Sequence, residues 1–303
     1  MTPHQIGLEV GKILDITINI TRKEGVLRLI RANISKNNPG KAKNLLVTPN
    51  PEQVMRAQTD QAYKNIINSA QIALPDGIGL AQAYTFQRKR MPNFLPARLV
   101  YALVYGLWVG AATIINRKAI TQELKIIRGR DFFYDLMTIA NKLSLRVYFL
   151  GSRRGVAQNA ADNLAQNYKK VKIKASDAPE LDENGKAVAG ADLELEREIV
   201  AQINKFKPHF LILGISPPKQ EKWVKRNWDD LSFNWACCFG ATIDFVAGKL
   251  PLPPKWMANM GLEWIWRLIT SHKTGKSPKR IFSAFPGLPW RVFVEKVKKR
   301  DTK

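Results

Sequence analysis

The chain has 303 residues, 45% of them hydrophobic, enough to build a sizeable core and too apolar for a disordered polymer. Its 48 lysines and arginines against 25 acids give a formal charge of +23, a field suited to nucleic acid, an anionic membrane surface or phosphorylated substrates. Three histidines exclude a histidine-rich metal site, and two adjacent cysteines, Cys237 and Cys238, exclude a disulfide framework, because neighbouring strand residues point to opposite faces.

From the N-terminus, MTPHQIGLEVGKILDITINI lacks the basic-then-apolar pattern of a secretory leader. Residues 12–20 alternate and are rich in β-branched side chains, which predicts a strand or hairpin leading into a helix over 22–34. NLLVT at 44–48 reads as a buried strand, followed by Pro49-Asn50-Pro51-Glu52 and a helical stretch over 52–70. Residues 72–74 form a second short strand that ends in Pro75-Asp76-Gly77-Ile78-Gly79.

Residues 94–115, FLPARLVYALVYGLWVGAATII, are apolar apart from Arg98 and lie between Arg88-Lys89-Arg90 and Arg117-Lys118. The uncharged run from Leu99 is about 17 residues long, the short limit for a membrane-spanning helix. The same run also fits a buried core helix or a helix lying on the bilayer. Cations at both ends favour two ends facing one leaflet over a crossing.

Strand–helix alternation then resumes. A helix over 132–143 leads to a strand at 146–150, the turn Gly151-Ser152-Arg153-Arg154-Gly155 and a helix to about residue 168. A strand at 171–175 precedes an acidic loop and a helix over 192–206. Strands at 209–213 and 235–239, ending at Gly214 and Gly240, flank a helix over 219–227. This order predicts an α/β fold with a doubly wound, mostly parallel sheet. Ligands bind such sheets at the carboxyl ends of the strands. The tail 271–303 carries ten Lys/Arg and two acids among Phe282, Phe285, Trp290 and Phe293, a pattern shared by interfacial membrane helices and nucleic-acid binders.

Residue types that do chemistry fall at those strand ends. Gly151 to Gly155 suits a backbone cradle for an anion, and suits equally a steric strand–turn glycine. No dinucleotide fingerprint or Walker motif accompanies it. Asp76 fits a turn or helix cap, or a general base for an attacking sugar hydroxyl. Gln220 and Glu221, opening a helix, and Asp244, after Gly240-Ala241-Thr242, are ambiguous in the same way.

Taken in order, several segments resemble the WecG/TagA/CpsF family of bacterial glycosyltransferases. They are Thr48-Pro49-Asn50-Pro51-Glu52, Pro75-Asp76-Gly77-Ile78-Gly79, Arg128-Gly129-Arg130-Asp131, Pro218-Lys219-Gln220-Glu221, Asp244-Phe245-Val246-Ala247-Gly248 and Gly261-Leu262-Glu263-Trp264-Ile265-Trp266-Arg267. The resemblance implies a Rossmann-like domain over 1–249; the apolar stretch at about 87–121 is an insertion outside the usual family pattern. It also implies a C-terminal helical, membrane-associated appendage over 250–303.

It further implies an inverting transfer of an N-acetylmannosamine-type hexosyl group from a UDP-sugar, without a metal or other cofactor. The acceptor would be a polyprenyl-diphosphate-linked sugar used in teichoic acid, common antigen or capsule synthesis. The enzyme would sit, peripheral or monotopic, at the cytoplasmic face of the membrane, on an anionic surface, as a possible homo-oligomer that binds no nucleic acid. By the same resemblance Asp76 is the general base. Thr48, Asn50, Gln220, Glu221 and Asp244 belong to the donor pocket, and Arg267 and Arg280 bind diphosphate; Gly151 and Gly214, read from their places at strand ends, are further substrate-binding candidates. The chain departs from the family pattern at Ile126 and Leu252, where arginines are usual, and at Ser216, usually glycine; Lys125, Arg128 or Arg130 would replace the first. The rival readings are a basic nucleic-acid-binding protein and a catalytically degenerate membrane scaffold.

Overall fold

Four short apolar runs form the centre of the molecule: NLLV in β3 (Asn44–Val47), RVYFLG in β5 (Arg146–Gly151), FLILG in β7 (Phe210–Gly214) and WACC in β8 (Trp235–Cys238). Nearly every residue in them is buried, the signature of strands covered on both faces. With β4 (Ile72–Ala73) and β6 (Lys172–Asp177) they make a six-stranded sheet in the order β4-β3-β8-β7-β5-β6, every pairing parallel. This computed structural model describes residues 7–36, 38–151, 154–254, 256–257, 260, 262–270, 284 and 286–298.

Strand alternation sorts the core into two layers. Leu46, Phe149, Ile212 and Cys237 face helices α1 (Lys23–Lys36), α7 (Gly129–Lys142) and α8 (Val156–Ala165). Val47, Leu150, Leu213 and Cys238 face α2 (Pro51–Ala57), α3 (Gln61–Ser69), α4 (Ile78–Arg88), α9 (Gly190–Phe206) and α10 (Lys219–Arg226). The adjacent cysteines therefore lie on opposite faces, both buried and both free thiols. Each fully buried side chain of this size contributes roughly 1.5–3 kcal/mol, so the two layers supply the main driving force for folding.

Residues 12–20 are a hairpin rather than one strand. Antiparallel β1 (Val10–Ile13) and β2 (Ile16–Asn19) turn at Leu14 and Asp15, both at positive φ. The expected single helix over 52–70 is two. The Asp60 carboxylate accepts from the Tyr63 N–H at 3.0 Å, capping a new helix, while α2 ends at Ala57. Residues 78–88, which show no clear period, form α4, and the helix expected from 132 starts earlier, at Gly129.

The apolar stretch is one continuous helix, α5 (Leu95–Ile115), long and apolar enough by composition to cross a membrane. The buried-core reading is corrected. Only Arg98, Ala102, Val109, Ala112 and Thr113 are buried, a single narrow stripe, because α5 packs on one side only. That side meets α4, the short α6 (Arg117–Ile120) and α13 (Gly287–Lys298), the described helix nearest the C-terminus. Leu288 and Val292 of α13 join the same core layer as Ala102. Between lie α11 (Thr242–Val246) and α12 (Glu263–Ile269).

Candidate active site

A cavity of about 410 Å³ opens at the carboxyl edge of the sheet. Its walls come from the segments after β3 (Thr48, Asn50), β4 (Asp76), β6 (Ala178, Pro179) and β8 (Phe239 to Thr242), from the last residue of β7 and the turn that follows it (Gly214 to Pro218), and from Arg128 and Arg130 at the start of α7. Lys249, Glu263 and Trp266 also line it.

Asp76 reaches this cavity because its loop is clamped on both sides. The Asp76 N–H donates to Pro49 O at 2.9 Å, and the Ile127 N–H donates to Pro75 O at 2.9 Å. The next residue, Gly77, has φ 96°, a conformation that L side chains rarely adopt, and it starts α4. The Pro-Asp-Gly sequence thus does three jobs: a rigid approach, a half-buried carboxylate facing the cavity, and a turn only glycine makes without strain.

Thr48 is buried and its hydroxyl donates to Cys238 O at 3.1 Å, tying the ends of β3 and β8 together. Asn50 caps α2. Its side-chain oxygen accepts from the Gln53 N–H and its own N–H donates to the Gln53 side chain, each at 3.0 Å. Gln53 in turn donates to Glu221 at 3.3 Å, and Gln220 donates to the same carboxylate oxygen at 2.8 Å. The Gln220 side-chain oxygen accepts from the Gly240 N–H at 3.1 Å, which holds the turn after β8.

Gln220 is in the cavity wall, whereas Glu221 is fully buried behind it and does not line the cavity. Burial, opposed by the bond from Gln220, pushes the Glu221 carboxyl up to about 7. Its second oxygen has no hydrogen-bond partner among the described residues, nor does the hydroxyl of buried Tyr63, which does line the cavity. Burial first, and then the charge of Glu221, raises the Tyr63 hydroxyl well above the usual range.

Gly214 lines the cavity; Gly151 does not. A side chain on either glycine would meet Ile243, at 2.9 Å for Gly151 and 2.6 Å for Gly214, so α11 lies directly over both strand ends. Asp244, on the next residue of α11, faces the cavity and pairs with Lys249 at 3.4 Å. Arg128 pairs with Glu263 at 3.3 Å, and the Arg130 guanidinium lies over the Phe245 ring at 5.7 Å. Of the cations that were candidates to replace the arginine at Ile126, Arg128 and Arg130 line the cavity and Lys125 does not. Arg267 lies on α12, but its side chain falls outside the described residues, as does all of Arg280.

The sequence reading did not single out Gln53, Arg56, Tyr63 or Lys249, all of which line the cavity. Gln53 was open to discovery: Asn50 with Gln three positions later is a capping-box spacing. Tyr63 carried no local signal, because only tertiary packing brings α3 against the strand ends. Among the described residues no three His, Cys, Asp or Glu side chains are grouped to hold a metal ion.

The model of the glycosyl transferase WecG/TagA/CpsF family matches residues 11–105 and 97–302. An N-acetylglucosaminyldiphosphoundecaprenol N-acetyl-beta-D-mannosaminyltransferase of Bacillus subtilis (strain 168) is 24% identical over 226 residues, 74% of this chain and 71% of that protein. The protein of the same name from Staphylococcus aureus (strain NCTC 8325 / PS 47) is 24% identical over 243 residues, covering 80% of this chain and 76% of its own length.

Proposed function

The chain belongs to the WecG/TagA/CpsF family of glycosyltransferases, and on that premise we propose that it moves an N-acetylmannosamine-type group from a UDP-sugar to a polyprenyl-diphosphate-linked sugar. The observation that carries this reading is the placement of Asp76. Its carboxylate shares one cavity with Thr48, Asn50, Gln220, Asp244, Arg128 and Arg130.

The chemistry follows from that set. Asp76 takes the proton from the acceptor hydroxyl as its oxygen attacks the anomeric carbon of the donor. The bond from that carbon to the diphosphate oxygen breaks on the opposite face, so configuration inverts and UDP leaves with the electron pair. Arg128 and Arg130 face the departing charge with planar guanidinium groups suited to phosphate oxygens. Thr48, Asn50, Gln220 and Asp244 orient the donor, and Glu221 acts from behind the wall by holding the amides of Gln53 and Gln220. A lipid-linked acceptor requires the enzyme to work at a membrane; the +23 charge supports an anionic surface, and a UDP-sugar donor supports its cytoplasmic face.

The test is UDP release from a panel of UDP-sugars with a short-chain lipid-diphosphate-linked amino sugar. Acceptor-dependent release from one donor supports the transferase and names the sugar. Folded protein that releases UDP from none of them overturns it in favour of a scaffold.

A further inference from the structure

Helix α5 is long enough to cross a membrane, yet it is tied to the body near both ends. In its first turn the Arg98 guanidinium, 3% exposed, donates to the carbonyls of Pro92, Asn93 and Val297 at 2.8–2.9 Å; the last belongs to α13. In its last turn the Thr113 hydroxyl accepts from Gln82 of α4 at 2.8 Å. Ala102, Val109 and Ala112 pack between these ties. A crossing would pull α5 away from α13 and α4 and break the Arg98–Val297 and Gln82–Thr113 bonds, polar contacts that hydrocarbon could not replace on the α5 side.

The opposite face is apolar and open. Val100, Leu103, Val104, Leu107 and Ile114 recur at helical spacing, Leu107 is 75% exposed, and no charged residue occurs from Leu99 to Asn116. Lys89 and Arg90 precede this face and Lys118 follows it, all exposed. Exposed Trp108 lies on it, and exposed Trp290 lies on neighbouring α13. Cations at both ends and aromatics between match a lipid headgroup layer. They disfavour a second copy of the chain, because an antiparallel seam would set one copy's cations against the other's.

We propose that the outer face of α5 lies in the headgroup layer of an anionic bilayer, parallel to its plane, with both helix ends on the protein side. This seats the catalytic body and rests on the transferase reading only for the lipid nature of the acceptor. The C-terminal end of α5 leads to the site. Burial and the charge of nearby Arg128 hold the Arg117 guanidinium below the usual arginine range, while Glu263 acts the other way, and both neighbours line the cavity.

The test uses the full chain with cysteine placed singly at Val100, Leu107 or Ile114 and labelled with an environment-sensitive fluorophore; Cys237 and Cys238 are buried. Vesicles contain phosphatidylcholine and phosphatidylglycerol brominated at a shallow or a deep acyl position. The expected result is equal quenching of all three labels by shallow bromines, lost when phosphatidylglycerol is omitted. Quenching that moves from shallow to deep along the three sites would mean a crossing. No quenching, with a doubled mass in lipid-free solution, would mean a second copy. Either overturns the proposal. In a second arm, the double variant Val104→Asp, Leu107→Asp should bind vesicles about tenfold more weakly or worse, with unchanged turnover on a soluble short-chain acceptor. Undiminished vesicle binding by that variant also overturns it. A parent chain that is quenched as expected but turns over no acceptor would sink the transferase reading and leave the bilayer seat standing.

Discussion

The Gln220 amide is held between two partners: its nitrogen donates to the buried Glu221 carboxylate at 2.8 Å and its oxygen accepts from the Gly240 N–H at 3.1 Å. One carboxylate behind the wall thereby fixes a side chain in the wall and the turn that follows β8.

This arrangement makes stability depend on pH. Glu221 titrates at about 7 in the fold against 4.5 when unperturbed. Between those values the folded state binds more protons than the unfolded one, so this residue's contribution is full below about pH 4.5 and declines as pH rises through 7. The difference is of order 3 kcal/mol. Glu221→Gln, which keeps an acceptor for Gln53 and Gln220, should flatten the fall in melting temperature between pH 5 and 7.5. Parallel melting curves for the two proteins would exclude a buried, titrating Glu221.

Asp76→Asn keeps the shape of the loop and removes the proton acceptor. Binding of UDP, followed by calorimetry, should be retained while acceptor-dependent UDP release falls roughly 100-fold or more. Near-normal turnover would remove Asp76 as the base.

Arg130→Ala should act on the donor. Loss of a charge-assisted bond to diphosphate costs about 1.5–3 kcal/mol, so KM for the UDP-sugar should rise roughly 10- to 100-fold. The fold should be unaffected, since Arg130 is partly exposed and lies over Phe245 at a distance of 5.7 Å. An unchanged KM would mean that the diphosphate lies elsewhere.

Gly77→Ala tests the turn. The added methyl has room, with Pro51 at 3.4 Å, so the cost is conformational: φ 96° is strained for alanine by roughly 1–3 kcal/mol. A lower melting temperature should accompany reduced turnover, because the strain is relieved next to Asp76. Wild-type values for both would show that the loop relaxes without moving the carboxylate.

Arginines rather than a metal are expected to face the leaving group, so turnover should survive EDTA. Loss of activity on chelation and its return with a divalent cation would require a metal bridging donor and protein.

Much of the fold was legible because strand and helix periods are local. NLLV, FLILG and WACC are runs whose length and apolarity have few other meanings, and each became a central strand. Cys237 and Cys238 were assigned to opposite faces by alternation alone, and they lie in opposite core layers. The break at Asp60 was also written in the chain as a capping residue, but the apolar period running through 52–70 masked it.

The site was legible only as a set of strand ends. Which ends share a cavity depends on strand order, β4-β3-β8-β7-β5-β6, and that order is set by contacts between residues far apart in the chain. Gly151 and Gly214 look alike in sequence, yet Ile243 packs over both and only Gly214 reaches the cavity. Gln220 and Glu221 are neighbours, and the rotation of about 100° between successive helix residues sends the first into the wall and the second behind it. The sequence by itself determined that residues 94–115 form a long apolar segment bounded by cations. Tertiary structure decided that the segment lies along the body, because Arg98 and Thr113 find their partners on α13 and α4, and no local pattern encodes a partner that distant.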